Sequence, residues 1–305
     1  MPTPVSLMAR PAAAHLGYLL GLAGLLATAA VLRAGARGVR VAVAGAVALA
    51  CAVAGGTAQL SPPSPAVAAA RTAVMNHPSQ HETCQELGHI TYCALAGFSR
   101  WIPAWNTVVQ AVMAQVPATA RSTQLTVRQR IVVLAFDRGT GPEQLLAAWR
   151  ADDAAAGTPR AIGIGTQWGD SRAAADLAAQ VAYRLVASET GEARDGATAC
   201  GGAGVLVVWL AGQAGTQAGT GLRLLAEEAR GERGGVSFYE TQLFPTVYVP
   251  APELSVATQA LARPRADIAA RVQQSWATLT APGTTAAQAA QILGVPAPDT
   301  STACR

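Results

Sequence analysis

The sequence predicts a mainly α protein: a two-helix transmembrane hairpin near the N-terminus, followed by a predominantly α-helical extracytoplasmic domain with at most a few short strands. Three observations carry this expectation. Two uncharged apolar stretches lie between Ala12 and Leu60. Beyond them, apolar residues recur at helical spacing in segments divided by prolines. Runs rich in β-branched and aromatic residues are few and short.

The chain has 305 residues, enough for two membrane helices and about 240 residues of one further domain. It is 51% hydrophobic but only 5% aromatic, and 13% charged, against about 25% charged in an ordinary soluble domain. Alanine and glycine supply the apolar excess. The chain has no lysine, so all 22 basic side chains are arginine, a bias that suggests GC-rich coding DNA rather than a physical demand for guanidinium. The net charge of +4 is spread without a basic run or interleaved aromatics, which excludes nucleic acid as a partner.

Residues 1–60 hold the N-terminal tail and the hairpin. The first span runs over about 12–32, AAAHLGYLLGLAGLLATAAVL, and the second over about 41–60, VAVAGAVALACAVAGGTAQL. At 1.5 Å per residue, about 20 residues cross a ~30 Å hydrocarbon core. The first span exceeds a signal-peptide core and is followed by a second, which argues against cleavage. Gly21, Gly24, Gly45, Gly55 and Gly56 allow close helix approach, within the hairpin or against another membrane subunit. Arg33, Arg37 and Arg40 sit in the connecting loop and only Arg10 precedes the first span, so the loop is expected in the cytoplasm and the large domain outside it.

A linker, 61–75, opens with the helix breaker Ser61-Pro62-Pro63-Ser64-Pro65 and continues as a short amphipathic helix from Ala66 to Met75. The helical domain is expected over 76–298, with a tail at 299–305. Helix-like spacing covers Phe98–Val116, Gly141–Ala156, Ser171–Ser188, Leu222–Arg230, Pro252–Ala262, Pro264–Leu279 and Thr285–Leu293. The apolar run Gly204–Gly212 reads as a buried helix too short to span a bilayer. Ile131–Phe136 reads as strand or helix, Ile162–Ile164 as a short strand, and Phe238–Val249 as one extended segment. Asp170 is placed to cap the helix that follows it.

Of the five cysteines, Cys51 lies in the second span and acts as a small apolar residue. Cys84 and Cys93 flank a turn at Gly88 and are expected to form a disulfide across a short hairpin, which fits an oxidising compartment. Cys200 and Cys304 carry no local spacing signal. Trp105 and Trp209 are expected to be structural.

The densest group of metal-capable side chains is His77, His81, Glu82, Cys84, Glu86, His89 and Cys93. It lacks the His-Glu-x-x-His pattern of zinc peptidases, because position 85 is glutamine. On one continuous helix His81 and His89 would lie about 12 Å apart, too far to share an ion. Only a folded hairpin brings them together, so zinc at His77, His81 and His89 is the minor reading and a polar surface loop the major one. No catalytic residue is assigned. GIGTQWG, at 163–169, lacks the spacing of a nucleotide-binding loop.

Several phrases resemble the extracytoplasmic portion of actinobacterial membrane proteins associated with ABC-type exporters. They are the C-x8-C stretch ending TYCALAGF, then RWIPAWNTVV, GVLVVWLAGQA and QQSWATLTAPGTTAAQAAQILGVP. The likeness covers roughly 60–298 and falls on Cys84, Cys93, Trp105 and Trp209, with no catalytic residue to carry over. It implies a permease-like subunit with a helical domain on the far side of the membrane and an ATPase on a separate cytoplasmic chain. Two spans cannot enclose a transport pathway, so a homo-oligomer or another membrane subunit is expected, with membrane lipid around the spans. A non-catalytic subunit of an ABC-type exporter or cell-envelope complex is therefore the leading expectation. The alternatives are a membrane-anchored metallohydrolase using His77, His81, Glu82 and His89, and an envelope binding or immunity-type protein.

Overall fold

A computed structural model describes residues 12–35, 38–61, 65–121, 124–131, 141–190, 197–232, 234–241 and 244–298. The chain forms two compact units, one around the N-terminal helix pair and one built from most of the remainder.

In the first unit, α1 (Ala12–Arg33) packs antiparallel on α2 (Val39–Leu60). The contact is made by small residues. Gly21 lies against the backbone of Ala52 so closely that no Cβ fits, and a Cβ on Gly55 would come within 2.6 Å of the Tyr18 nitrogen and 2.7 Å of the Ala14 carbonyl. Ala48 and Ala52 are buried between the helices, and His15 Nδ1 lies 3.0 Å from Gln59 Oε1 at the open end. The outward faces carry Leu20, Leu26, Val43, Val47 and Val53, all more than half exposed. Both helices are long and apolar enough to cross a membrane. The predicted spans match them to within two residues at each end, while Arg37 lies outside the described residues.

After α3 (Pro65–Asn76) and a 3-10 turn (Pro78–His81), the domain opens with the hairpin β1 (Glu82–Leu87) and β2 (Ile90–Leu95). Gly88 closes it at φ 67°, a left-handed conformation that a side chain would strain. Cys84 pairs directly with Cys93 and is disulfide-bonded to it. α4 (Ile102–Met113) and α5 (Ala118–Arg121) lead to β3 (Leu125–Gln129), and α6 (Pro142–Ala155) leads to β4 (Ile162–Ile164). The strand order is β1-β2-β3-β4, with β3 parallel to both neighbours. The apolar stripe of α4 is buried as its spacing predicts, but the helix starts at Ile102 because Ser99–Trp101 forms a 3-10 turn.

The second half comprises α7 (Ser171–Thr190), β5 (Ala197–Thr198), α8 (Gly201–Gly212), α9 (Thr216–Glu232), β6 (Val236–Thr241), β7 (Phe244–Val249), α10 (Ala251–Leu261), α11 (Arg265–Gln274), α12 (Trp276–Thr280) and α13 (Ala286–Leu293). α8 is the axis of this half: Val205 to Ala211 are fully buried, and α7, α9, α10, α12 and α13 pack against it. Each buried valine or leucine there contributes roughly 1.5–3 kcal/mol. Asp170 caps α7 by accepting from the Ala173 amide at 2.7 Å. Thr285 and Gln288 form a capping box on α13.

The described residues are mostly helical, as expected, but the strands are more numerous than the sequence suggests. β3 is unanticipated, because LTVRQ alternates over only five residues. Phe238–Val249 is a hairpin, β6 on β7, rather than one segment, and β5 completes the sheet in the order β5-β7-β6. Pro264–Leu279 is two helices, broken at Ser275. Ile131–Phe136 lies outside the described residues apart from Ile131. Cys200 is disulfide-bonded, and Cys51 is a free thiol.

Candidate functional site: a buried ion cluster

The densest charge in the interior gathers where β1, β3 and α6 meet. β3 presents Gln129 to one face, where its Oε1 accepts from the Leu95 amide at 3.1 Å. Arg128 is sent to the other face by the alternation of the strand, and Arg130 follows it there. Both arginines are buried. α6 supplies Asp152 and Asp153, adjacent residues near its C-terminal end. Glu82, the first residue of β1, completes the group with a fully buried side chain.

Arg128 Nη1 is the hub, 3.4 Å from Glu82 Oε2 and 3.8 Å from one oxygen each of Asp152 and Asp153. Arg130 Nη2 donates to both oxygens of Asp153 at 2.6 Å, and its guanidinium lies 5.6 Å from the Trp149 ring centroid. Trp149 is fixed by its own Nε1 donating to the Met75 carbonyl at 2.6 Å. Asp152 accepts from the Ser79 amide at 2.9 Å and from its hydroxyl at 2.6 Å. Glu82 differs from both aspartates, since neither of its oxygens has a hydrogen-bond partner.

Three carboxylates thus face two guanidinium groups, an excess of one negative charge if all are ionised. Burial pushes Glu82 up to about 7, against the pull of Arg128 and Arg130 and with the repulsion of Asp153 and Asp152. Burial also raises Asp153, but the Arg130 guanidinium opposes it there through charge and hydrogen bonds. Glu82 is therefore the acid of this cluster that burial holds most strongly towards its protonated form, up to about pH 7. A side chain so enclosed reaches no external substrate. Its chemistry is to hold or release a proton inside the fold.

Two further buried acids hold secondary structure in place. Glu253 of α10 accepts from the Gly201 amide at 2.7 Å, capping α8 from a neighbouring helix. Asp176 of α7 accepts from the Tyr239 amide at 3.0 Å, and Gln180 one turn later donates to the Tyr239 carbonyl at 3.1 Å. Tyr239 sits in an irregular part of the β6–β7 ladder, so α7 satisfies the backbone groups that the bulge releases.

The structure does not bring His77, His81 and His89 together. His77 precedes the 3-10 turn and His81 ends it, at the open end of the hairpin, while His89 lies in the turn at its closed end. The six residues of β1 between them extend for about 20 Å. The disulfide ties strand to strand, not end to end. Among the described residues no group of three His, Cys, Asp or Glu side chains is arranged to hold a metal ion. His77 Nδ1 instead approaches Asp152 Oδ1 at 3.9 Å from an exposed position.

Trp105 and Trp209 are fully buried, and Trp105 meets Trp168 edge to face at 6.2 Å. The sequence reading missed Arg128, Arg130, Asp152 and Asp153. The available signals were two arginines alternating with Leu125 and Val127, and an Asp-Asp pair within an otherwise alanine-rich helix. Neither points to the other across the chain.

No family model matches this chain, and no curated protein and no solved structure matches it significantly.

Proposed function

We propose that the chain is an integral membrane protein that crosses the bilayer twice through α1 and α2, holds its domain outside the cytoplasm, and serves as a non-catalytic subunit of an ABC-type exporter or cell-envelope complex. The observation that carries the membrane reading is the outward surface of the helix pair. Leu20 at 63%, Leu26 at 74% and Val47 at 57% exposure are among many open leucines and valines on two helices of membrane-spanning length, more than the singly scattered apolar residues of a soluble monomer. Lipid is the solvent such a surface fits.

The outside placement is supported by Arg33 and Arg40 beside the turn between the helices, and by the Cys84–Cys93 disulfide, which persists in oxidising compartments. The exporter reading rests on the sequence phrases around Cys84, Trp105 and Trp209. Gly21 and Gly55 are taken up by the contact between the two helices, so a second membrane subunit would meet the outward leucines and valines instead.

Two measurements test this. In a Cys51→Ala background, Gly35→Cys should react with an impermeant maleimide only after cells are permeabilised; labelling of intact cells would overturn the orientation. Purification in mild detergent should retain another membrane subunit or an ATPase, identified by mass spectrometry. Recovery of the chain alone and without self-association would remove the subunit reading.

A further inference from the structure

Residues 75–82 carry the chain from the end of α3 through the 3-10 turn into β1. They are tied down along their whole length by side chains of α6 and β3. At the start, Trp149 donates its Nε1 hydrogen to the Met75 carbonyl at 2.6 Å. In the middle, Asp152 accepts from the amide and the hydroxyl of Ser79, and His77 Nδ1 stands 3.9 Å from Asp152 Oδ1. At the end, the fully buried Glu82 side chain lies 3.4 Å from Arg128 Nη1.

These ties differ in kind. The Trp149 and Ser79 donors are uncharged, whereas Glu82 is held by charge alone, since neither of its oxygens has a hydrogen-bond partner. The charged groups that face it are Arg128 of β3, Arg130 just beyond that strand, and Asp152 and Asp153 of α6. β2 brings only Leu95 opposite it. With Glu82 protonated, two guanidinium groups balance two carboxylates. With Glu82 ionised, a third negative charge is enclosed without a hydrogen bond, and opening the segment to water relieves it. A proton on His77 works the same way, because it sets a positive charge beside Asp152. Protons therefore tighten both ties.

We propose that residues 75–82 form a proton-controlled clasp, in which a protonated Glu82 locks the segment onto α6 and an ionised Glu82 lets it open while the rest of the domain stays folded. The Cys84–Cys93 disulfide sets the limit of the opening, because it keeps β1 tied to β2 from two residues beyond Glu82. Burial raises Glu82 to about 7 in the closed clasp, and in the open one it returns to the ordinary 4.5. The opening equilibrium is therefore flat below about pH 4.5, rises by up to tenfold per pH unit, and levels off above about pH 7. Between pH 5 and pH 8 the rise amounts to about fiftyfold. The clasp uses contacts within the domain alone and does not depend on the membrane reading.

The test is hydrogen exchange followed by mass spectrometry on the full chain in mild detergent, with each rate corrected for the intrinsic effect of pH. Such exchange detects local openings that leave the remaining structure intact. In the wild type, protection of peptides spanning 75–82 should fall by about fiftyfold from pH 5 to pH 8 and stay below that of α8 throughout. Glu82→Gln should remove most of the fall. Asp176→Asn, which removes the acid of α7 that burial raises over a similar range, should leave the fall in place. Circular dichroism checks that both variants fold, and the wild-type profile decides without either. Wild-type protection that is level across this range, a segment protected as strongly as α8, an equal fall in Glu82→Gln, or a fall abolished by Asp176→Asn would overturn the proposal.

Discussion

At the scale of single residues, Glu82 is the most consequential side chain in the domain. Its folded value of about 7 lies above the ordinary 4.5, so between these values the native state keeps a proton that the unfolded chain has released. The stability this proton supplies is full below about pH 4.5 and is lost as pH rises through about 7. Asp176, raised from 3.8 to about 7 by burial, acts in the same direction over a similar window. Glu82→Gln should therefore flatten part of the pH dependence and leave the Asp176 part. At pH 8 it should be more stable than the wild type by about 3 kcal/mol, measured by denaturant titration of tryptophan fluorescence. An unchanged pH profile would show that Glu82 titrates alike in the folded and unfolded chain. Trp209 makes the opposite kind of prediction. It is fully buried on α8, and its indole N–H has no partner among the described residues, so its contribution is volume. Trp209→Ala should cost about 3–5 kcal/mol in the same assay.

Elements are held by two different devices. The helix pair relies on close approach at Gly21 and Gly55, where a side chain meets backbone that cannot move aside. In a Cys51→Ala background, Thr28→Cys and Gly45→Cys should cross-link, since a Cβ at position 45 would lie 3.0 Å from the Thr28 methyl. Adding Gly21→Leu should abolish the cross-link by forcing the helices apart. The β1–β2 hairpin relies on its ladder and one disulfide with a sequence separation of 9. A loop this short confines the unfolded chain modestly. Replacing both cysteines with serine should cost about 2–3 kcal/mol, read from the denaturant midpoint. Much of this level was legible in the sequence. The spacing of Ala174, Leu177, Val181 and Leu185 marks α7, the run GVLVVWLAG marks α8, and Gly88 between two cysteines marks the hairpin. β3 was not legible, because a five-residue strand with buried arginines has the composition of a loop. The Pro264–Leu279 stripe hid the break at Ser275, where no proline or glycine interrupts the pattern.

For the whole molecule, the apolar outer surface of α1 and α2 decides which solvent the chain needs. Val47→Arg puts a charge near the middle of α2 on that surface, at a cost of about 2.5–3.5 kcal/mol if it faces lipid. The fraction of protein recovered in carbonate-washed membranes should fall, and an unchanged fraction would argue that the helix pair is not inserted. The sequence by itself determined what depends on local composition and period: two apolar stretches of membrane-spanning length, a mostly helical domain, a disulfide across a tight turn, and Trp105 and Trp209 as core residues. Only the tertiary structure decided what depends on distant residues meeting. It separated His77 and His81 from His89, because an extended strand lies between them. It brought Glu82 to Arg128 and Asp153, because the pairing of β1, β2 and β3 and the packing of α6 are long-range events that leave no period in the sequence. It also left β1, among the described residues, as a long, regular and exposed edge, a property of the sheet order rather than of the six residues themselves.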